Sequence, residues 1–326
     1  MQRFKNILCV VNTDRNDTSA FEHAVKLAAN NQAQLTVVEV IDEISPNLKL
    51  FRHTLSSEDF QAMMVAEHEK KLEELISPWN SSIEVKPKVL IGISFIEIIH
   101  EVLRNEHDLV FKMAENNGLM SQVFGSDDMH LLRKCPCPIW LVKPDSPRSY
   151  QKILATVDVD DFYPSEELTT RHLLNVQVLE MAGTMSILES ADLHVVHVWN
   201  AIGEDFMNLV FNDTPEDKVA TYVESVRQKN GESLERVMQV LANNIGQDTF
   251  NSIKHQEHLL KGYPRKEIPL FAKKIKADLV VMGTIARTGI SGLFMGNTAE
   301  SILNQLDCSV LAVKPEGFVT PVTLNE

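Results

Sequence analysis

An internal repeat constrains the fold of this chain more than any other feature of its sequence. Four short runs in the first half recur in the same order in the second half, at offsets between 146 and 171 residues. The matched pairs are N-I-L-C-V-V from Asn6 with K-I-L-A-T-V from Lys152, A-Q-L-T-V-V-E-V from Ala33 with A-D-L-H-V-V-H-V from Ala191, D-L-V-F from Asp108 with D-L-V-V from Asp278, and C-P-I-W-L-V-K-P from Cys137 with C-S-V-L-A-V-K-P from Cys308. Four matches in one order predict a duplicated chain, and the growing offset predicts insertions in the second copy.

The boundary between the copies is predicted at K-P-D-S-P-R-S-Y, residues 143–150. Two prolines, two serines and several charges there are typical of a short linker. We therefore predict a first domain at 1–145, a second domain at 151–316 and a polar tail at 317–326. A chain of 326 residues is long enough for two domains with separate cores.

Within each copy, short runs rich in β-branched residues alternate with segments of helical periodicity. In the first copy we predict strands at 7–11, 35–41, 83–90, 109–112 and 139–142, and helices at 17–31, 57–77, 94–106 and 126–134. The second copy has longer helical segments, at 165–190 and from Glu216 onward. Strands that alternate with helices predict a parallel sheet covered on both faces. Such a sheet binds ligands outside the carboxyl ends of its strands.

Charge and composition limit the possible partners. A net charge of −14 and a pI of about 5.3 argue against a general nucleic-acid or anionic-membrane binder, because both need a basic surface. Four cysteines are few for a disulfide scaffold of this length. The first apolar run, 7–11, is too short for the core of a signal peptide, and no run approaches the roughly 18 apolar residues of a membrane span. We expect a cytoplasmic protein with reduced thiols.

A glycine-rich stretch follows the predicted strand that begins at Leu279. It reads V-M-G-T-I-A-R-T-G-I-S-G-L-F-M-G-N-T-A-E over residues 281–300. Glycine allows the backbone to approach a ligand closely, and such a turn between a strand and a helix is a common phosphate site. The stretch therefore predicts a ligand loop at the carboxyl edge of the second sheet.

Several longer runs resemble those of tandem universal stress proteins. They are the strand C-x-[IV]-x-x-V-K-P that closes both copies, H-D-L-V-x-K-M-A at 107–114, H-L-L-R-K-C-P at 130–136, G-x-x-x-R-T-G-I-S at 283–291 and G-N-T-A-E at 296–300. The resemblance covers essentially the whole chain. It implies an α/β fold of two tandem domains, each a five-stranded parallel doubly wound sheet with helices on both faces, packed as a pseudo-dimer. It also implies a cytoplasmic stress-response role and, in members that keep the loop, ATP or another adenine nucleotide as ligand, with or without Mg²⁺.

The resemblance also assigns ligand-binding positions in the second domain. The family loop G-x2-G-x9-G-[S/T] is matched in spacing by Gly283, Ala286, Gly296 and Asn297. The aspartate that ends the first strand and contacts the nucleoside in binding members is matched by Asp158. The predicted set in chain order is Asp158, Val196, His197, Gly283, Ala286, Arg287, Gly296, Asn297 and Thr298.

Two departures from the family loop leave its ligand open. Ala286 replaces a glycine, and an L-residue forced to a positive φ costs roughly 1–2 kcal/mol. Asn297 replaces a Ser or Thr, although its amide can still donate a hydrogen bond, and Arg287 can add a charge-assisted contact to phosphate. Asn297 is alternatively the N-cap of a helix, with Glu300 completing a capping box. The loop is thus either a phosphate site or a purely structural turn.

The first copy departs further from the family pattern. Its stretch 112–126 matches the loop only at its last two residues, and Met113 and Asn116 occupy the paired glycine positions. Asn12 replaces the aspartate that ends the first strand. We predict that the first domain does not bind ATP in the manner of the family.

Two groups of residues raise the question of a metal. His255 and His258 are three apart, which places them on opposite faces of a strand, so a zinc site is not predicted. Asp158, Asp160 and Asp161 cluster after the first strand of the second copy, where they either hold Mg²⁺ beside a phosphate or serve as turn and capping residues. The sequence alone leaves both interpretations open.

Catalytic signatures are weak in this sequence. A single C-P-C at 135–137 has no second pair, and it is more typical of the start of a strand than of redox or metal chemistry. The patterns G-x-S-x-G, G-x-x-x-x-G-K-[ST] and G-x-G-x-x-G are absent. The apolar residues within 201–214 either cover the core or form a wall over a ligand cavity. We expect no enzyme beyond a weak ATPase.

The sequence therefore predicts a non-catalytic, cytoplasmic stress-response protein that binds an adenine nucleotide or a similar phosphate-bearing ligand in its second domain. One alternative is a carrier or sensor of another amphipathic, phosphate-bearing metabolite. A second alternative is a protein-interaction module whose loops no longer bind a ligand. Protein partners and a further homodimer are compatible with all three, and nucleic acid and membrane are not expected partners.

Overall fold

The computed structural model describes residues 4–15, 18–45, 56–79, 83–115, 124–144, 146–204, 207, 216–284 and 295–324. The first repeat contains β1 Asn6–Val10, α1 Ser19–Asn31, β2 Gln34–Ile41, α2 Ser57–Ile76, β3 Val85–Ile91, α3 Ser94–Asn105, β4 Leu109–Met113, α4 Ser126–Lys134 and β5 Ile139–Val142. The second contains β6 Lys152–Thr156, α5 Ser165–Glu189, β7 Asp192–Trp199, α6 Glu216–Ile245, α7 Gln247–Ser252, β8 His255–Lys261, α8 Pro264–Ile275, β9 Leu279–Gly283, α9 Asn297–Leu303 and β10 Ser309–Val313. The predicted alternation of strands and helices is confirmed.

The chain divides into two compact units. Unit 1 comprises Met1–Arg148, Ser309–Ala312 and Val319–Glu326, and unit 2 comprises Ser149–Cys308 and Val313–Phe318. Most of β10 therefore belongs to unit 1.

Unit 1 is built on a sheet in the order β3-β2-β1-β4-β5-β10. The first five strands pair in parallel, as predicted. The sixth strand, β10, runs antiparallel to β5, with Leu311 opposite Trp140. The strands of unit 1 are therefore mixed in direction, because β10, from the end of the chain, runs antiparallel to the other five.

Unit 2 contains the parallel strands β9-β6-β7-β8 in that order. Val313, the last residue of β10, accepts a hydrogen bond from the Thr284 amide at 3.1 Å, directly after β9. In unit 1 the Ala114 amide donates in the same way to Val142 at 2.8 Å. The two repeats thus share their geometry where the fourth strand ends.

An aspartate ahead of each middle strand ties that strand to the first strand of its repeat. The Asp108 carboxylate accepts from the Asn6 amide at 3.1 Å. The Asp278 carboxylate accepts in the same way from the Lys152 amide at 2.9 Å. These bonds explain why the run D-L-V occurs in both repeats. Asp108 holds the start of β4 beside β1, and Asp278 holds the start of β9 beside β6.

Four helices end on a residue in the left-handed conformation that is not glycine. The residues are Gln32, Glu106, Ser190 and Lys276, with φ between 53° and 55°. The amide that follows each of them donates back into the helix, as from Ala33 to Ala28 at 2.9 Å. The same helix-to-strand turn is therefore used twice in each repeat.

The C-P-C run lies between α4 and β5. Cys135 and Cys137 are buried, and their sulfur atoms lie 3.6 Å apart as free thiols. The hydrogen bond with Cys135, together with burial, raises the pKa of Cys137, which makes it a poor nucleophile at neutral pH. The pair is part of the core where the fifth strand begins.

Two histidines form a partly buried pair in unit 2. His194 Nδ1 on β7 lies 2.9 Å from His258 Nε2 on β8, their rings stack on each other, and Phe271 of α8 contacts both rings at an angle. Burial lowers the pKa of both histidines; Lys152 adds to this at His194, and His194 and Lys274 add to it at His258. Among the described residues, no group of three or more His, Cys, Asp or Glu could hold a metal ion. The pair is therefore a neutral cross-strand contact.

This contact predicts a pH-dependent stability. Because the pKa of both histidines is lowered in the folded protein, their contribution to stability is complete above the unfolded pKa of about 6.5 and is lost as the pH falls below it. We expect His258→Gln to show a smaller fall in Tm between pH 7.5 and pH 5.5 than the wild type, by thermal unfolding. The matched control His255→Gln, on the same strand, keeps the wild-type fall, and an unchanged fall in His258→Gln contradicts the prediction.

Candidate functional site

Unit 2 has a cavity of about 270 Å³ where three of its strands end. Its walls include residues 156–158 at the end of β6, 197–198 of β7, 282–284 at the end of β9 and 296–299 at the start of α9. This is the carboxyl edge of the parallel strands, where the sequence predicts a ligand. The volume is slightly below the roughly 300–1,000 Å³ that is usual for small-molecule sites.

Most of the predicted ligand residues meet in this cavity. Those that line it are Asp158, His197, Gly283, Gly296, Asn297 and Thr298. Val196 is fully buried, and its carbonyl accepts from the Val157 amide at 3.0 Å in the sheet. Ala286 and Arg287 lie outside the described residues, as do most of the apolar residues of 201–214.

Asp158 is held in place by a side chain from α5. Asn175 accepts from the Asp158 amide at 3.0 Å and donates to its carbonyl at 2.7 Å. The carboxylate accepts from the guanidinium of Arg171 and from the Tyr163 hydroxyl at 3.2 Å. The guanidinium carbon of Arg171 also lies 3.4 Å from the centre of the Tyr163 ring. Asp158, Tyr163 and Arg171 form one cluster on the cavity wall, which we call the Asp158 cluster.

The charges in this wall oppose one another. Burial raises the pKa of Asp158, the Arg171 charge opposes that effect, and the neighbouring Asp160 adds to it. Tyr163 also has a raised pKa, mainly because of burial and then because of the Asp158 charge. The hydroxyl is therefore a hydrogen-bond donor at neutral pH, and the one cation of the cluster, Arg171, faces the carboxylate of Asp158 and that of the neighbouring Asp160.

His197 is oriented by acceptors on both sides of its ring. Its Nδ1 lies 3.2 Å from the Val157 carbonyl, and its Nε2 lies 2.9 Å from Asn230 Oδ1 and 3.7 Å from Asp160 Oδ1. Burial acts to lower the pKa of His197, but Asp160, Asn230 and Asp158 outweigh it, so that the pKa is raised. Two acceptors suit the protonated ring, in which both nitrogens donate.

The three aspartates of the predicted magnesium group face different cations. Asp158 pairs with Arg171, Asp160 lies near His197, and Asp161 Oδ2 lies 2.6 Å from Lys229 Nζ. A magnesium site would need carboxylates that converge on one point. The described residues therefore do not form that site, and the interpretation of these acids as turn residues fits the contacts better.

The two loop glycines have different reasons to be glycine. A Cβ on Gly283 would lie 2.6 Å from Leu174 Cδ2, so that a larger residue there forces Leu174 of α5 to move. Among the described residues, a Cβ on Gly296 would contact the Thr284 carbonyl oxygen at 3.8 Å, and φ of Gly296 is −63°. Neither the described packing nor backbone strain therefore excludes a side chain at Gly296, which lines the cavity. The structure places it at the N-cap of α9 and Asn297 at the first helical position, so the alternative of Asn297 as N-cap is wrong.

Sequence reasoning identified Asp158 as a candidate but missed the residues that contact it, Tyr163, Arg171 and Asn175. Arg171 and Asn175 are four residues apart on α5 and share one face of it. That spacing is visible in the sequence, but the face that turns toward Asp158 is set by the packing of the helix on the sheet. Tyr163 lies in the segment between β6 and α5 and carries no motif.

Unit 1 has a cavity of about 340 Å³ at the corresponding edge. Asn12 and Thr13 line it after β1, and Lys112, Glu115 and Asp127 line it where β4 ends and α4 begins. Lys112 is buried and pairs with Asp128, with 2.6 Å between Nζ and Oδ1. The lysine at the end of this strand therefore points toward the cavity but is already paired.

Known proteins resemble this chain in sequence and in fold. Universal stress protein E of Escherichia coli (strain K12) is 29% identical over 333 residues, which cover 100% of this chain and 99% of that protein. A crystal structure from Pseudomonas aeruginosa PAO1, described as that of a functionally unknown protein, has 25% identity and a TM-score of 0.66, and covers 97% of this chain and 94% of that chain. A universal stress protein solved in complex with cAMP covers only 51% of this chain, with a TM-score of 0.30.

Among the described residues, no helix is both long and apolar enough to cross a membrane.

The sequence model of the Universal stress protein family matches residues 3–143 and matches again at 174–314. Because these two matches span most of the chain and agree with the internal repeat, the chain belongs to the universal stress protein family.

Proposed function

We propose that unit 2 binds an adenine nucleotide, or a similar phosphate-bearing ligand, in the cavity where β6, β7 and β9 end. The protein would then act as a non-catalytic, cytoplasmic stress-response protein whose state depends on that ligand. The position of Gly296 carries this proposal: it lines the cavity at the N-cap of α9, and no described residue lies closer than 3.8 Å to the place of its missing side chain. The spacing of Gly283, Gly296 and Asn297, which matches the family loop, supports it.

The cavity wall offers suitable chemistry for each part of a nucleotide. Val198 and Ile268 provide apolar surface for a flat base. The amide of Asn297 and the hydroxyl of Thr298 can donate to phosphate oxygens. The Asp158 carboxylate is a natural acceptor for sugar hydroxyls, although a ligand there must share it with Arg171.

The contacts of the acidic and basic groups favour binding over hydrolysis. A general base needs a free lone pair near the proton that it removes. His197 directs both ring nitrogens to protein acceptors, and the Asp158 carboxylate is paired with Arg171. Neither group is available as a base without first losing a partner, so we infer a binding site rather than an active site.

One observation favours the alternative of a carrier or sensor for an amphipathic phosphate-bearing metabolite. Phe162 is 58% exposed and packs against Tyr163 of the Asp158 cluster, with ring centres 4.6 Å apart. Tyr263, just before the cavity residue Pro264, is 59% exposed. Exposed aromatic rings near a cavity suit a ligand that has an apolar portion.

The identity of the ligand can be read from the purified protein. We expect mass spectrometry of the material released on denaturation to find an adenine nucleotide at close to one per chain. Another phosphate-bearing metabolite would support the carrier or sensor. An empty protein whose Tm does not respond to ATP or ADP would contradict ligand binding and leave the protein-interaction module.

The two loop glycines give a matched pair of variants. We expect Gly296→Ala to lower the free energy of unfolding by no more than about 1 kcal/mol, the cost of alanine at an N-cap, because no described atom lies closer than 3.8 Å to the new methyl. Its affinity for ADP should fall about tenfold, which is roughly 1.4 kcal/mol. Gly283→Ala should instead lose roughly 1–3 kcal/mol of stability, because Leu174 must move. Calorimetric titration and denaturant unfolding measure both, and wild-type affinity in Gly296→Ala would argue against a phosphate at that glycine.

The pairing of Arg171 with Asp158 can be measured by a double-mutant cycle. We expect the variants Arg171→Met and Asp158→Asn to couple by about 1 kcal/mol in the free energy of unfolding, because the Arg171 side chain is only 11% exposed while that of Asp158 is 40% exposed. The exposed pair of Arg227 and Glu224 is the control, and its coupling should stay below about 0.5 kcal/mol. Equal coupling in the two pairs would show that the cluster adds nothing beyond a surface ion pair.

A further inference from the structure

The repeat allows the open site beside Gly296 to be compared with its counterpart in unit 1. Gly125 precedes α4 as Gly296 precedes α9, which matches Asp128 with Ala299. The aligned runs D-L-V-F-K and D-L-V-V-M match Lys112 with Met282. Two positions that are charged in unit 1 are therefore apolar in unit 2.

Asp128 occupies an internal anion site. Its side chain is fully buried, with no exposed surface. Its Oδ1 accepts from Lys112 Nζ at 2.6 Å, and its Oδ2 accepts from the Glu115 amide at 2.7 Å and from the Gly125 amide at 3.3 Å. One ammonium and two backbone amides thus converge on a single carboxylate, which is the donor set that an oxyanion ligand would need.

A second carboxylate fills the space above Gly125. A Cβ on that glycine would overlap Glu115 Oε2, whereas a Cβ on Gly296 in unit 2 would have no described atom closer than the Thr284 carbonyl oxygen at 3.8 Å. Burial raises the pKa of Glu115; Lys112 opposes that effect, and Asp128 and Asp127 add to it. An acidic side chain of unit 1 therefore occupies the volume that no described side chain of unit 2 fills.

Unit 2 has no charge at the matching positions. Met282 is 2% exposed and Ala299 is 8% exposed, and both side chains are apolar. Neither side chain can stand in for a ligand's anionic group. The two units thus share one backbone plan and differ in whether the chain itself supplies an anion.

We propose that Asp128 takes the place of a ligand's phosphate in unit 1 and closes that cavity to phosphate-bearing ligands. A phosphate that enters this cavity would find the donors already bound to Asp128, and it would be repelled by the carboxylates of Glu115 and Asp127. The chain then binds one nucleotide, through unit 2. This last statement rests on the function proposed above, whereas the internal anion site in unit 1 does not.

Chemical rescue tests the internal anion site directly. Asp128→Ala leaves Lys112 and two amides around an empty space, so its Tm should fall below that of the wild type. Sodium acetate or sodium phosphate should raise the Tm of Asp128→Ala by at least about 2–4 °C more than it raises that of the wild type, at ionic strength matched with sodium chloride. The double variant Lys112→Met with Asp128→Ala copies the apolar pair of unit 2 and should show no such response.

The rescue experiment has clear adverse outcomes. Equal shifts in Asp128→Ala and in the wild type would overturn the proposal. If Asp128→Ala is unstable in chloride, its refolding yield in acetate or phosphate replaces the Tm. Failure to refold in all three salts would also overturn it.

The number of ADP molecules bound per chain separates this inference from the proposed function. We expect calorimetric titration with ADP to give one per chain, and we expect Gly296→Ala to weaken that single site. Two ADP per chain in the wild type would overturn the closure of unit 1 and leave nucleotide binding intact. No binding of ADP, together with anion rescue of Asp128→Ala, would remove the proposed function and leave the internal anion site intact.

Discussion

Each repeat depends on one aspartate that precedes its middle strand. Asp108 binds the backbone amides at the start of β1, and Asp278 binds those at the start of β6. Two parallel strands that start level and run for similar lengths also end level. The carboxyl ends of β1 and β4, and those of β6 and β9, are therefore neighbours, and each cavity lies where such a pair ends.

The same scaffold carries different chemistry in the two units. The carboxylate that lies next to the cavity in unit 2, Asp158, is balanced by Arg171 from a helix, whereas Asp128 in unit 1 is balanced by Lys112 from a strand. Removing one partner of a buried ion pair is far more destabilising than replacing both with apolar residues. Lys112 and Asp128 can therefore be lost together more easily than one at a time, and unit 2 has the apolar residues Met282 and Ala299 at the two matching positions.

The sequence predicted the elements well because burial imposes a periodicity that can be read directly. Helix α4 and strand β5 fall at the predicted residues, and β10 was recognised as a strand from its match to β5. Its antiparallel pairing with β5 was not predicted, because the choice of partner depends on surfaces that are far apart in the chain.

The candidate site was predicted in part for a similar reason. Asp158, Gly283 and Gly296 follow strands, so their place at the carboxyl edge follows from the order of elements. Arg171 comes from a helix face, and the contact of His194 with His258 joins neighbouring strands. Such contacts arise from packing and leave no local pattern.

The left-handed turns that end four of the described helices have one further consequence. None of them has glycine, the residue best suited to that conformation. Glycine in place of Gln32, Glu106, Ser190 or Lys276 therefore offers a route to a more heat-resistant chain.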